Sequence, residues 1–209
     1  MSMLKKNRFE ILFAALLVEL MYPFIALLFL VPIDIVRFLS FLFLVLASFN
    51  LGVKMMHKVV ILVLGGLSIM GLACSMMYDE PAIASYVRIY STCFFYITLI
   101  FILTRSFLIA KDVNLKVVIG ATSGYLLIGY LGGIIIQMME FHHQGSYTFS
   151  DTHEFDYIYF SFISMLTVGY GDIVPSTPSA KSLIILISLA GQLYMAVGIA
   201  SFVGKFMNK

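Results

Sequence analysis

Six consecutive residues carry the most chemical content in the chain: Thr167, Val168, Gly169, Tyr170, Gly171 and Asp172. They contain no nucleophile with a base beside it, so the chemistry they offer is that of the backbone. Extended residues point successive carbonyl oxygens the same way only if some of them leave ordinary β geometry. Glycine does this without steric cost, and it sits here at every second position, 169 and 171. One chain cannot surround an ion with such a row of dipoles. Four chains about an axis can, giving rings of oxygens that replace the water shell of a monovalent cation. The expected ligands are the carbonyls of Thr167, Val168, Gly169, Tyr170 and Gly171, with the Thr167 hydroxyl adding a ring at the inner end.

Such a loop must be held at membrane depth, and the flanking sequence reads as a device for doing so. Glu140 to Asp151 is a polar external loop, and Thr152 to Leu166 a short apolar, aromatic helix. Asp151, Glu154 and Asp156 at its start suit the positive end of a helix dipole. At about 1.5 Å per residue this helix enters a bilayer without crossing it. After the hexamer comes a turn with Pro175 and Pro178. The chain therefore goes in, reverses and comes out. Irregular backbone at that depth is tolerated only when it is buried in protein or lines a wet path. The negative end of the short helix would favour a cation beneath the loop.

Composition agrees. Of 209 residues, 61% are hydrophobic and only 11% charged, against about 25% charged in an average soluble domain. That excludes a disordered chain, a disulfide scaffold and a nucleic-acid-binding domain. Cys74 and Cys93 lie in apolar runs and read as buried hydrophobes. Six spans are expected, near 10–31, 36–53, 59–78, 82–104, 115–139 and 179–204. With the N-terminus cytoplasmic, the inner side holds Lys5, Lys6, Arg8, Lys54, Lys58, Arg105, Lys111, Lys116, Lys205 and Lys209. Asp34, Asp79, Glu80, Glu140, Asp151, Glu154, Asp156 and Asp172 then fall outside. The positive-inside rule thus predicts that both termini are cytoplasmic, in a multi-pass protein of the plasma membrane.

The hexamer resembles the filter signature of tetrameric potassium channels, and the resemblance extends over the whole pore module, about 115–207. It implies an all-α membrane protein with six transmembrane helices and a re-entrant pore helix and filter. The peripheral four-helix domain would occupy 1–112 and the pore domain 113–209, the latter with outer helix 115–139, pore helix 152–166, filter 167–172 and inner helix 179–207. A homotetramer is implied, with K+ and membrane lipids as partners and passive K+ permeation as the function. Gly191 stands where that family often has a gating hinge. Asp172, Tyr159 and Phe160 stand where it supports the filter, although Tyr159-Phe160 replaces a tryptophan pair. Two further departures are Leu166, where many members have a threonine, and Ile163, where some bacterial members have a glutamate.

The fourth span lacks arginines at every third position. Arg88 and Arg105 are seventeen residues apart, so weak or absent voltage gating is expected. Glu19 and Arg88, the acid and base deepest in spans, come within reach at similar depth and are read as a structural ion pair. His142, His143 and His153 in the external loop are candidates for proton sensing. No metal-ligand spacing or nucleophile–base pair appears, so neither an enzyme nor a cofactor is expected. The rival readings are a non-conducting accessory subunit of another channel and a less selective cation channel. An uptake transporter with four non-identical pore loops is disfavoured by the single complete loop.

Overall fold

The computed structural model describes residues 7–51, 54–77, 82–110, 114–149 and 153–207. Lys5, Lys6, Asp79, Glu80, Lys111, Asp151, Thr152 and Lys209, used above for orientation and for the start of the short helix, lie outside the described residues. Seven helices follow one another: α1 (Arg8–Phe29), α2 (Ile33–Phe49), α3 (Met55–Met77), α4 (Ala82–Ile109), α5 (Leu115–His142), α6 (Glu154–Met165) and α7 (Pro178–Met207).

Five of these, α1, α3, α4, α5 and α7, are long and apolar enough to cross a membrane. The second expected span is the exception. With 17 residues, α2 is about 25 Å long, short of a hydrocarbon core of about 30 Å. Its ends are set by local chemistry. Pro32 fixes the entry, so the helix starts earlier than expected. At the far end the Asn50 side chain turns back to the Leu46 carbonyl at 3.1 Å and stops the helix four residues early. The fourth helix errs the other way and runs on to Ile109.

The described residues fall into two compact units, and the division lies inside α5: Asn114–Gly124 groups with the chain up to Ala110, and Tyr125 onward forms the other unit. The first turns of α5 are tied to α1 by Lys116, which pairs with Glu10 at 3.1 Å and donates to Asn7 at 3.0 Å. The expected boundary, at 112/113, lay instead in the polar stretch before α5.

In the peripheral unit α1 packs on α2, α2 on α3 and α3 on α4. The three-residue link from Leu30 to Pro32 makes α1 and α2 neighbours. Leu12, Leu16, Leu44, Phe95, Leu99 and Leu103 are fully buried there, and Phe41 meets Phe95 and Tyr96 with ring centroids 5.7 and 6.5 Å apart. Between α3 and α4 the contact is also polar. The Ser68 and Ser91 hydroxyls lie 2.8 Å apart, and Thr92 donates to Ser68 at 3.0 Å.

In the second unit α6 is wrapped by the others. Ile136, Tyr147, Tyr157, Phe160, Ile163, Ala180 and Ile187 form its core. The glycines of α5 allow α6 close approach, as small residues do between membrane helices. A Cβ on Gly133 would stand 2.8 Å from the Ile158 Cα, and one on Gly132 would collide with the Ser161 hydroxyl. That hydroxyl, fully buried, donates to the Gly129 carbonyl at 2.8 Å.

Candidate functional site

The short helix ends at Met165 and hands the chain directly to the hexamer. A helix leaves its last carbonyls without intrahelical partners. Here the following residues take them up. The Leu166 amide donates to Phe162 at 2.8 Å and the Thr167 amide to Ser164 at 3.1 Å. The amides of Val168 and Gly169 both donate to Ile163, at 2.9 and 3.2 Å. The inner half of the hexamer is therefore bolted to α6 through its N–H groups, which leaves its C=O groups for something else.

The dihedral angles bear on where those carbonyls go. Thr167, Gly169 and Gly171 all have positive φ, at 60°, 55° and 80°. Left-handed residues at alternate positions break the β alternation that would send successive carbonyls to opposite sides. The two glycines were expected to do this. Thr167 was not, and a β-branched residue at positive φ is a genuine outlier, of the kind that persists only where surrounding contacts hold it. Its hydroxyl donates to the Leu166 carbonyl at 2.7 Å. A hydroxyl oxygen has lone pairs left to accept or to ligate, so the inner ring expected from this side chain remains available.

Beyond Gly171 the support changes from backbone to side chain. The Tyr159 hydroxyl donates to Asp172 Oδ2 at 2.7 Å, and this bond holds the Asp172 carboxyl below the usual carboxylate range. Phe160 takes a different direction. It is buried against the external loop, its ring 5.6 Å from that of Tyr147. The two adjacent aromatics thus divide their labour between the end of the hexamer and the loop outside it.

That loop is itself clamped to the exit of the hexamer. The Thr148 amide donates to Val174 at 3.0 Å, the Val174 amide returns to the Thr148 hydroxyl at 3.1 Å, and the Ser176 amide donates to Ser146 at 2.8 Å. Glu140 receives the amides of Gly145 at 2.6 Å and Tyr147 at 3.2 Å. Sequence reasoning missed these partners, and only the glycine five residues after Glu140 hinted at a closed turn. The histidines serve here through backbone and end-capping contacts. The ring of His142 bonds the Met138 carbonyl at 2.8 Å, the His143 carbonyl receives the Ser146 hydroxyl at 2.6 Å, and the His153 amide donates to Asp156 at 2.9 Å. Among the described residues no group of histidines, cysteines and acids could hold a metal ion.

Gly191 of α7 packs tightly. A Cβ there would collide with the Met165 side chain at the end of α6. Three residues before it and one after it, Ser188 and Gln192 make long contacts, both 3.4 Å, to the carbonyls of Ser164 and Met165. The hexamer itself is open on one side in the single chain, with Tyr170 72% exposed and Leu166 and Val168 about half exposed.

Comparison with known proteins bears on what this arrangement can do. Residues 117–208 match the family model described as "Ion channel". This segment, which takes in most of α5, α6, the hexamer and α7, is similar to an ion-channel domain, and the match points to a channel and not to an enzyme. A curated relative, "Two pore potassium channel b" of Oryza sativa subsp. japonica, is 36% identical over 88 residues, which cover 41% of this chain and 22% of that protein. The chain thus matches less than a quarter of that relative's length. Both findings support the potassium-channel family to which the hexamer pointed. No solved structure matches the chain.

Glu19 is buried on α1, with Ser40 and Arg37 of α2 among the groups near it. Arg88, the partner expected from depth, is buried on α4 with Gly71 of α3 against its Cβ. Depth along a helix says how far apart two residues lie along the membrane normal but not which helices are neighbours. The short link between α1 and α2 brings Arg37 near Glu19 as a second candidate partner beside Arg88.

Proposed function

We propose that the chain is the subunit of a potassium-selective channel, in which four copies surround one axis and K+ passes down its gradient through rings formed by Thr167, Val168, Gly169, Tyr170 and Gly171. The observation that carries this reading is the alternation of positive φ at Thr167, Gly169 and Gly171, with the neighbouring amides already committed to α6. Carbonyls freed in this way have no use within one chain and a clear one around a dehydrated cation. The wide exposure of Tyr170 and of apolar residues along α7, such as Ile185, Leu189 and Leu193, supports burial against further copies and lipid. The printed name of the rice relative supports K+ as the ion.

In this reading Tyr159 and Asp172 brace the outer end of the filter, Phe160 braces the loop around it, and Gly191 lets α7 close on α6 where the pore opens. The six-span arrangement holds with α2 crossing through locally thinned bilayer. The basic residues then set both termini in the cytoplasm, in the plasma membrane. The spacing of Arg88 and Arg105 supports a gate that voltage moves little. No cofactor is required.

The test is the reversal potential of the purified protein in planar bilayers, with potassium on one side and sodium on the other. It should lie close to the potassium equilibrium value and be lost in Gly169→Ala. At φ 55° with no atom within 4 Å of the added Cβ, that substitution acts through backbone conformation alone, at about 1–2 kcal/mol in each copy. A reversal near zero would remove the selectivity claim. Silence of the wild-type protein in every condition would favour an accessory subunit.

A further inference from the structure

At the end of the peripheral unit where α1 begins, the helix ends enclose a cavity of about 560 Å³, the size of a small-ligand site. It gathers residues from the starts of α1, α3 and α5 and from the ends of α2 and α4. Four basic side chains line it: Arg8, Lys54, His57 and Arg105. No aspartate or glutamate is among the described residues lining it. Glu10, the acid next to it on α1, is taken by Lys116 at 3.1 Å. The remaining wall is mainly apolar, with Phe9 and Phe101 prominent.

Two details indicate unspent binding capacity. Arg8 donates from Nη1 to the Leu51 carbonyl at 2.8 Å, which anchors the guanidinium while leaving other N–H groups of its fork free to donate. His57 Nδ1 is buried and has no hydrogen-bond partner among the described residues, a costly condition for a polar atom. A site that is cationic at one part and apolar along another suits an anionic amphiphile better than a small soluble anion. The location suits it too. Helices long enough to span a bilayer end here, so the cavity lies at the level of a membrane surface, where basic pockets between helices meet lipid headgroups.

We propose that this cavity binds an anionic phospholipid, its phosphate against Arg8, Lys54, His57 and Arg105 and an acyl chain along Phe9 and Phe101. The site is separate from the ion path and uses none of its residues.

The test uses the full chain in phosphatidylcholine vesicles containing a minority of phosphatidylglycerol, with a spin label on the acyl chain of one lipid or the other. The immobilised fraction reports lipid held by the protein. The wild type should hold phosphatidylglycerol in preference to phosphatidylcholine. The double variant K54Q/R105Q should lower that preference by about 25-fold, since each basic side chain near the surface contributes about fivefold. K181Q, on the first turn of α7, should leave it unchanged. Lys54 and Arg105 are both exposed, so the double variant should keep its helical content; were it to misfold, the wild-type comparison of the two lipids decides alone. Equal retention of both lipids, or an undiminished preference in folded K54Q/R105Q, overturns the proposal. Displacement by inorganic phosphate as effective as that by unlabelled phosphatidylglycerol would assign the site to a soluble phosphate and overturn the lipid reading.

Discussion

The ion-channel unit and the peripheral unit solve the problem of polar groups at membrane depth in opposite ways. In the former the polar groups are backbone. The amides of Leu166 to Gly169 are spent on the end of α6, and the side chains around them are chosen for size, as at Gly132, Gly133 and Gly191. In the latter the polar groups within the helices are side chains: the buried Glu19, with Arg37 and Ser40 near it, and the hydroxyl cluster of Ser68, Ser91 and Thr92. The first arrangement tolerates no change of backbone angle and the second no loss of a partner. Substitutions should separate the two units on that criterion.

The largest effect is expected at Gly171. Its φ of 80° is strained for alanine, while its missing Cβ has open space around it. Gly171→Ala costs about 1–2 kcal/mol of backbone strain per copy and should abolish potassium-selective current, leaving the helical circular dichroism intact. A selective current from this variant would mean that the alternation of φ is incidental, and the contrast between the two units would lose its basis.

Next comes packing. A Cβ on Gly133 meets the α6 backbone at Ile158 Cα, which cannot move aside as a side chain tip can. Gly133→Ala should destabilise the protein by about 1–3 kcal/mol, read as a lowered Tm in detergent. Gly66→Ala, on the open face of α3 with nothing within 4 Å, should be neutral or stabilising by up to about 1 kcal/mol. Equal shifts at the two positions would show that the ion-channel unit is no more tightly specified than the peripheral one.

In the peripheral unit the sensitive feature is a pairing. A double-mutant cycle of Glu19→Gln with Arg37→Gln should give a coupling of about 0.5–3 kcal/mol in thermal unfolding. The same cycle with Arg88→Gln should give none. The reverse result would restore the pairing read from depth alone.

The unequal legibility of the two units follows from the same contrast. The positive φ angles at the two glycines of the hexamer were legible because they lie in consecutive residues, so spacing along the chain is spacing in space. The short helix was legible because its length is neither that of a loop nor that of a span. The role of Gly191 against Met165 and the clamp of Thr148 on Val174 were not, since each joins elements far apart in sequence. Glu19 shows the same limit more sharply. Hydropathy locates a buried acid, but its partner depends on which helices touch. The end of α2 was placed too late because apolar residues continue past Asn50, and only the side-chain cap on Leu46 reveals where the helix stops.

The smallest expected effect lies where the two strategies meet, at the side-chain bond from Tyr159 to Asp172 at the outer end of the hexamer. Tyr159→Phe removes the donor to Asp172 and nothing else. The filter backbone keeps its anchors on α6, so the reversal potential should not move, while the current amplitude should fall modestly. The pH dependence carries the sharper signature. The Tyr159 hydroxyl depresses the Asp172 carboxyl, so the bond is at full strength above the ordinary aspartate value of about 3.9 and is lost as external pH falls through the depressed one. Without the donor the carboxylate should protonate at a higher pH, closer to that ordinary value. The acid limb of current against external pH should therefore shift upward in Tyr159→Phe, and Phe160→Leu, which touches the loop and not the carboxylate, should leave it in place. An unshifted limb in Tyr159→Phe would mean that the filter is braced by its backbone alone, and the division between the two units would be complete.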